Sequence, residues 1–339
     1  EPYVMYEDAV NNDLPDFQQR KGLYVNHSNL CSEITLPTND ERTAVCCLSS
    51  VNLEYFDEWQ NHPSFIPDLV RFLDNVLESF INNAPDQLEK AKYSAYRERS
   101  IGLGTMGFHA YLQKLGIPFE GLSASNINYG IFEHIKTQAM EETRKLAVER
   151  GACPDDDSCQ VRNAHLLAIA PNASSSIICG NTSPSIEPFR ANAYTQKTKS
   201  GSFLQKNKFL EKLLEKYEMN DEKTWRDIVT NKGSVQHLTF LTDEEKEVFK
   251  TAVEINQSWL IEHASQRQQF ICQSQSLNLF FPPDVSKKDL HNVHMLAWAK
   301  NLKTLYYLRS EAISRADTVS NEVKREIIFE QQDCLSCEG

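Results

Sequence analysis

The stretch from Asn29 to Leu53 constrains this chain more than any other, because it sets thiols, a carboxylate and an amide close together in apolar surroundings. Asn29, Cys31 and Glu33 alternate at period two, so an extended segment would turn all three side chains to one face and Leu30, Ser32 and Ile34 to the other. We take this to be the chemical centre. Pro37 to Arg42 reads as a polar turn, and Ala44 to Leu53 is apolar enough for a buried strand. A helical pattern follows from Pro63, with Phe65, Leu69, Phe72, Leu73, Val76, Leu77 and Phe80 on one stripe that ends near Asn82-Asn83. That stripe is core and says nothing of function.

The thiols carry the chemical argument. Nine cysteines at irregular spacings make no disulfide framework in a chain of 339 residues, so reduced thiols with one or two working pairs are expected. Cys31, Cys46 and Cys47 lack the CxxC spacing of zinc knuckles. Free cysteines most often pack as small buried groups. A thiol, however, has a weak S–H bond and tolerates one-electron oxidation, and a carboxylate within reach of a hydroxyl can take its proton. The net charge of −12 argues against a broad nucleic-acid-binding face. With no run of 18 apolar residues and no basic-then-apolar N-terminus, neither a membrane span nor a signal peptide is indicated, and a cytoplasmic location is expected.

Further along, Gly102-Leu103-Gly104-Thr105-Met106-Gly107 has the form of a dinucleotide fingerprint, but Arg97-Glu98-Arg99 stands where the strand should end and no acid follows at the required distance. We read it as the start of a closely packed helix through Phe108, Tyr111, Leu112 and Leu115. Ile127 to Gly151 is another helix, with Gly151 at its C-cap. Asp155, Asp156 and Asp157 lack the ligand spacing of a calcium loop and read as a solvated loop. His165 to Ala170 is a short apolar run, read as a strand delivering Pro171. The serine-rich start Asn172-Ala173-Ser174-Ser175 would present N–H groups and hydroxyls at a helix N-terminus, an anion site or a plain N-cap. Residues 200 to 258 read as a helical insert without catalytic groups, and His291 and His294 as surface histidines. Tyr306 and Tyr307 in a strand would face opposite ways. Cys334 and Cys337 form a CxxC pair on a polar tail, suited to a mobile dithiol.

Asn29-Leu30-Cys31-Ser32-Glu33-Ile34, the later Cys46, the Leu48-Ser49-Ser50-Val51-Asn52-Leu53 segment, the Tyr306-Tyr307 pair and the Cys334/Cys337 tail together resemble the large, catalytic subunit of class I ribonucleotide reductases. The resemblance covers nearly the whole chain, and its wording is closest to T4-like phage large subunits with a split gene; a phage-encoded chain would work in the host cytoplasm. It implies an α/β fold, the second half of the family's ten-stranded α/β barrel with helical additions, over residues 1–320, and a flexible redox-active tail over 321–339. It implies that Cys31 becomes a thiyl radical that removes the 3′ hydrogen of a ribonucleoside diphosphate, that Glu33 and Asn29 handle the adjacent hydroxyls, and that Cys46 is one of two thiols reducing the 2′ carbon. Tyr306 and Tyr307 would relay the radical, with Tyr306 next to Cys31 and Tyr307 toward the subunit interface. Asn172, Ala173, Ser174 and Ser175 would hold the diphosphate, while Cys334 and Cys337 would re-reduce the site and be restored by thioredoxin or glutaredoxin.

No metal or cofactor is expected on this chain, the radical coming from the metal cofactor of a small subunit. No cysteine precedes Cys31, so the second substrate-reducing thiol is expected on an N-terminal half supplied separately or lying outside this sequence. Expected partners are that half, the small radical-generating subunit and the thiol reductant, with no nucleic acid or membrane. A cobalamin-dependent class II reductase shares the cysteines, but the tyrosine pair argues against it. A non-catalytic assembly fragment has no reason to retain thiols, carboxylate, tyrosines and tail together.

Overall fold

The structure, a computed structural model, describes residues 3–198 and 201–310. The tail cysteines Cys334 and Cys337, and the boundary at residue 320, lie outside the described residues. In chain order the elements used below are β1 (Val4–Met5), β2 (Cys47–Asn52), α1 (Phe65–Asn83), α2 (Glu89–Glu98), β3 (Ile101–Met106), α3 (Phe108–Lys114), α4 (Leu122–Arg150) and α5 (Ala173–Ile178). They continue with β4 (Ala193–Thr198), β5 (Gly201–Lys206), α6 (Lys208–Lys216), α7 (Glu222–Thr230), α8 (Asp243–Val248), α9 (Gln257–Gln268), β6 (Leu279–Phe281), α10 (Lys287–Ala299), β7 (Thr304–Leu305) and β8 (Leu308–Ser310).

Parallel pairing organises the interior. β2 runs parallel to β3 from Cys47↔Ile101 to Asn52↔Met106. The 165–169 segment continues the series through the parallel bridge Leu103↔Leu167, and the 273–276 segment follows through Ile169↔Gln275. β6 then lies parallel to β8. Parallel strands need crossovers, and the intervening helices supply them. The resulting alternation of helix and parallel strand is the expected α/β class.

The glycine-rich segment is where the structure departs most from the sequence reading. It is strand β3, fully buried, and the helix begins only at Phe108. Small residues serve close approach, as expected, but between strands. A Cβ on Gly104 would stand 2.5 Å from the Ala168 carbonyl oxygen. Gly107, at φ 83°, turns the chain from strand into helix where a Cβ would meet Asn52 Oδ1 at 2.5 Å.

In α1 the buried stripe is Ile66, Val70, Leu73 and Leu77, while Phe72 and Val76 face outward. The expected stripe was too wide: it took in positions a full 100° round the helix, which only packing partners can separate. α4 ends at Gly151 (φ 90°) as read, but starts at Leu122, earlier than the sequence suggested. The 200–258 insert is not helical throughout: β5 at its start pairs with β4 just before it, and the helices that follow carry a small core of Leu210, Leu214, Trp225, Ile228 and Val248, separate from the main one.

The acidic loop is not solvated. Asp155 and Asp156 are buried; Asp155 accepts from Arg42 Nη1 and Nη2 at 2.6 and 2.9 Å and from Arg97 Nε at 3.0 Å, whereas Asp157 alone is exposed. Its arginine partners are remote in sequence, so local polarity misled. Beside this cluster, Glu98 is fully buried and accepts from Ser94 Oγ at 3.0 Å and Gln18 Nε2 at 3.2 Å. Burial pushes its carboxyl up to about 7. A group protonated more readily in the folded than in the unfolded state stabilises the fold at low pH, and that contribution is lost as pH rises from about 4.5 through 7. Between pH 5 and pH 8 we expect the native protein to lose about 2–3 kcal/mol relative to Glu98→Gln, read from urea unfolding. Parallel pH profiles for the two proteins would contradict this.

Candidate active site

Cys31 sits in a turn, not a strand. Ser32 N donates to Asn29 O at 3.1 Å and Ser32 adopts φ 66°, which breaks the expected period-two alternation. The three side chains still gather, by another route. Asn29 Nδ2 donates to Glu33 Oε2 at 2.9 Å, and Asn29 Oδ1 accepts from Ile34 N at 3.1 Å, so the amide closes the turn on both sides. The turn is then fastened to the parallel interior: Ser274 N donates to Glu33 O at 2.9 Å, and Thr304 Oγ1 to Ser32 O at 2.9 Å. The Ser276 hydroxyl lies 2.5 Å from Cys31 O and 3.2 Å from Glu33 Oε2. Burial raises the Glu33 carboxyl, against the donors Asn29 and Ser276 that lower it, so this side chain is a better proton acceptor than an exposed glutamate.

Tyr306 and Tyr307 do not face opposite ways. The strand is interrupted between β7 and β8: Tyr306 N donates to Leu277 O at 2.9 Å, whereas Tyr307 N turns to Asn278 Oδ1 at 3.0 Å. Alternation lapses where the chain changes pairing partners, and the two rings lie with centroids 4.1 Å apart at 53°. Tyr306, only 2% exposed, points its Oη at Cys31 Sγ across 3.5 Å. Burial first, and then the contact with Cys31, push its phenol up, so it keeps its proton at neutral pH. The Arg309 guanidinium lies 4.0 Å from the Tyr307 ring centroid.

Cys46, just before β2, receives Gln273 Nε2 at 3.3 Å, and burial raises its thiol despite that donor. Cys47 is half-buried at the start of β2.

Tyr306 also lines a cavity of about 440 Å³, within the range of small-molecule sites. Ala173 and Ser174, at the start of the short helix α5, form part of its wall, together with Ser176. Asn172 lies under that wall, with its amide 3.1 Å from Ser50 Oγ, and Ser175 is not among the lining residues. Sequence reasoning assigned no individual role to much of this lining. Glu187, Arg190 and Asn278 lie at one side, and Lys206 and Asn207 come from the insert read as non-catalytic. Glu187 is buried against Asn278 Nδ2 at 2.5 Å, and burial pushes its carboxyl up to about 7. The polar run Gln273-Ser274-Gln275-Ser276 between apolar neighbours, all four buried, is not part of the lining but backs the Cys31 turn and Cys46, and Asn278 follows two residues later. Among the described residues no group of three or more His, Cys, Asp or Glu could hold a metal ion, and no helix is long and apolar enough to cross a membrane.

A parallel α/β interior carrying a thiol-bearing turn beside a tyrosine pair defines a class, and comparison with known proteins assigns it. The model of the ribonucleotide reductase barrel domain matches residues 1–158 and 157–308. The chain belongs to that family. It is similar to the ribonucleoside-diphosphate reductase large subunit of Invertebrate iridescent virus 3, with 48% identity over all of this chain and 54% of that protein. The large subunit of Invertebrate iridescent virus 6 is 51% identical over 86% of this chain and 31% of its own length. Among solved structures, an Actinobacillus ureae class Id ribonucleotide reductase alpha subunit superposes with a TM-score of 0.87 at 40% identity, covering 94% of this chain and 59% of that one. The chain thus spans about a third to three-fifths of the length of the relatives it matches.

Proposed function

We propose that this chain is the part of a class I ribonucleoside-diphosphate reductase large subunit that holds the radical thiol and reduces ribonucleoside diphosphates to deoxyribonucleoside diphosphates. The observation that carries the reading is the Tyr306 Oη to Cys31 Sγ contact of 3.5 Å, made by a tyrosine that also lines a ligand-sized cavity. The step it suits balances simply. A Tyr306 phenoxyl radical, formed by oxidation through Tyr307 from a small subunit, takes the hydrogen atom of Cys31; the phenol O–H forms, the S–H breaks and the unpaired electron moves to sulfur. The thiyl then takes the 3′ hydrogen of the substrate while Glu33, oriented by Asn29 and Ser276, accepts the neighbouring hydroxyl proton.

Reduction at the 2′ carbon converts two thiols to a disulfide, releases the hydroxyl as water and leaves a C–H bond. Cys46 supplies one thiol, and the second is assigned to the N-terminal part of the large subunit. Ala173 and Ser174 suit the substrate phosphates, with Asn172 and Ser175 setting the shape of that turn. Cys334 and Cys337 would return the disulfide to thiols by exchange and be restored by thioredoxin or glutaredoxin. The test is cytidine diphosphate reduction by the complete large subunit with its small subunit and thioredoxin, beside the chain alone. Deoxycytidine diphosphate formed only in the full mixture is the expected result. Reduction with adenosylcobalamin in place of the small subunit would move the chain to a different class.

A further inference from the structure

Three rings, not two, meet beside Cys31. β1 pairs antiparallel with β7 in the register Val4↔Leu305 and Met5↔Thr304, and Tyr6 N extends the contact to Lys303 O at 2.8 Å. One step further along that register sets Tyr3 opposite Tyr306, and residues opposed in an antiparallel pair carry their side chains on the same face. The rings follow. Tyr3 stacks on Tyr306 with centroids 5.2 Å apart at 23°, and meets Tyr307 edge-on at 5.3 Å and 75°. β1 has no other strand partner among the described residues, so its pairing places Tyr3 at the tyrosine pair.

We propose that Tyr3 is a positioning residue for radical transfer, whose ring holds Tyr306 in the orientation that aims Oη at Cys31 Sγ. The inference rests on the reductase reading and goes beyond it. The need for such a brace is physical. At 3.5 Å the oxygen-to-sulfur contact has little slack, and Oη stands at the far end of a long side chain, where a small ring rotation is amplified. Tyr306 also lies where the strand is interrupted, so the ladder does not fix its side chain as it would in mid-strand. Tyr307 cannot brace it alone, since its ring is tilted 53° to Tyr306 and is itself met by Arg309. Tyr3 contributes the nearly parallel face. What it supplies is a flat ring, so phenylalanine should serve.

The experiment compares Tyr3→Phe and Tyr3→Leu in the complete large subunit assembled with its small subunit. Tyr3→Phe is expected to keep kcat near that of the parent. Tyr3→Leu is expected to lower kcat about 100-fold, the scale of an ångström-sized misplacement, with KM for the nucleoside diphosphate unchanged. A second readout separates positioning from mere folding. With the easily oxidised 3-aminotyrosine at position 306, the electron paramagnetic resonance couplings of the β-methylene protons report the ring torsion. They should match between the Tyr3 and Tyr3→Phe proteins and shift or broaden in Tyr3→Leu. Tyr3→Met, which fills space without a flat ring, repeats the comparison if Tyr3→Leu melts below the assay temperature. Unchanged couplings and kcat without the ring would overturn the proposal, as would a Tyr3→Phe protein as impaired as Tyr3→Leu. No aminotyrosyl radical even with Tyr3 intact would instead overturn the reductase reading, and this inference with it.

Discussion

Cys31→Ser in the complete enzyme is expected to remove nucleotide reduction by a factor on the order of 10⁶, the scale on which a catalytic unit fails when its central group is removed. The substitution is nearly isosteric and the turn does not depend on the sulfur. Ser32 N still meets Asn29 O, and Ser276 still meets the residue-31 carbonyl, since both contacts are to backbone. What changes is chemistry: an alcohol O–H is too strong a bond for a tyrosyl radical to break. Nucleoside diphosphate affinity should therefore stay close to that of the parent while turnover disappears. Glu33→Gln offers the contrast. It keeps the hydrogen-bonding shape beside Asn29 and Ser276 but removes the proton acceptor, so a smaller loss of roughly 10²- to 10⁴-fold is expected. Substrate turnover by Cys31→Ser at a measurable rate would end the thiyl assignment.

The largest expected effect on stability lies away from the cavity, at Asp74. This carboxylate is fully buried on α1 and receives Arg99 Nη2 at 3.0 Å, Arg150 Nη1 at 3.0 Å, Arg162 Nε at 3.3 Å and Asn163 Nδ2 at 3.1 Å. It joins α1, the residue that caps α2, the end of α4 and the stretch leading into the 165–169 segment. Burial alone would raise its carboxyl, but Arg99 and Arg162 outweigh that and hold it below the usual range. Asp74→Ala leaves Arg99, 3% exposed, with Glu78 as its remaining carboxylate partner, and should destabilise the fold by about 3 kcal/mol. A urea midpoint that falls with unchanged slope would show it; a loss below about 1 kcal/mol would mean the cluster is bystander polarity. The pH sense is opposite to that of Glu98. The stability due to Asp74 is complete above the unfolded-state value of about 4 and disappears as pH falls through the depressed one.

The family could be read from the sequence because its evidence is local, in the spacing around Cys31 and the Tyr306-Tyr307 pair, and the structure does gather Asn29, Cys31, Glu33 and Tyr306. Periodicity failed where a distant partner decides the outcome. Asn29, Cys31 and Glu33 suggested a strand, yet Ser274, Ser276 and Thr304 pin a turn there. The Gly102–Met106 run lacks the side chains that mark strands, and it is a strand because β2 on one side and Ala168 on the other leave no room for anything larger. Asp155 looked solvated because Arg42 lies more than a hundred positions away. Tyr3 was silent in the sequence for the same reason: its significance comes from a two-residue ladder to the other end of the chain.

The cavity is built on two foundations. One wall stands on the main core, while Lys206 and Asn207 belong to the insert with its separate apolar cluster. Polar contacts help to join the two: Asn207 Nδ2 to Gln113 Oε1 at 2.8 Å, Gln113 Nε2 to Val248 O at 3.2 Å, and Lys208 Nζ to Glu54 Oε1 at 2.5 Å. A region with its own core and a hydrogen-bonded seam can open as a cooperative unit at a lower free energy than global unfolding. Breathing of the insert then widens the mouth of the cavity while the Cys31 turn, anchored in the main interior through Ser274, Ser276 and Thr304, keeps its geometry.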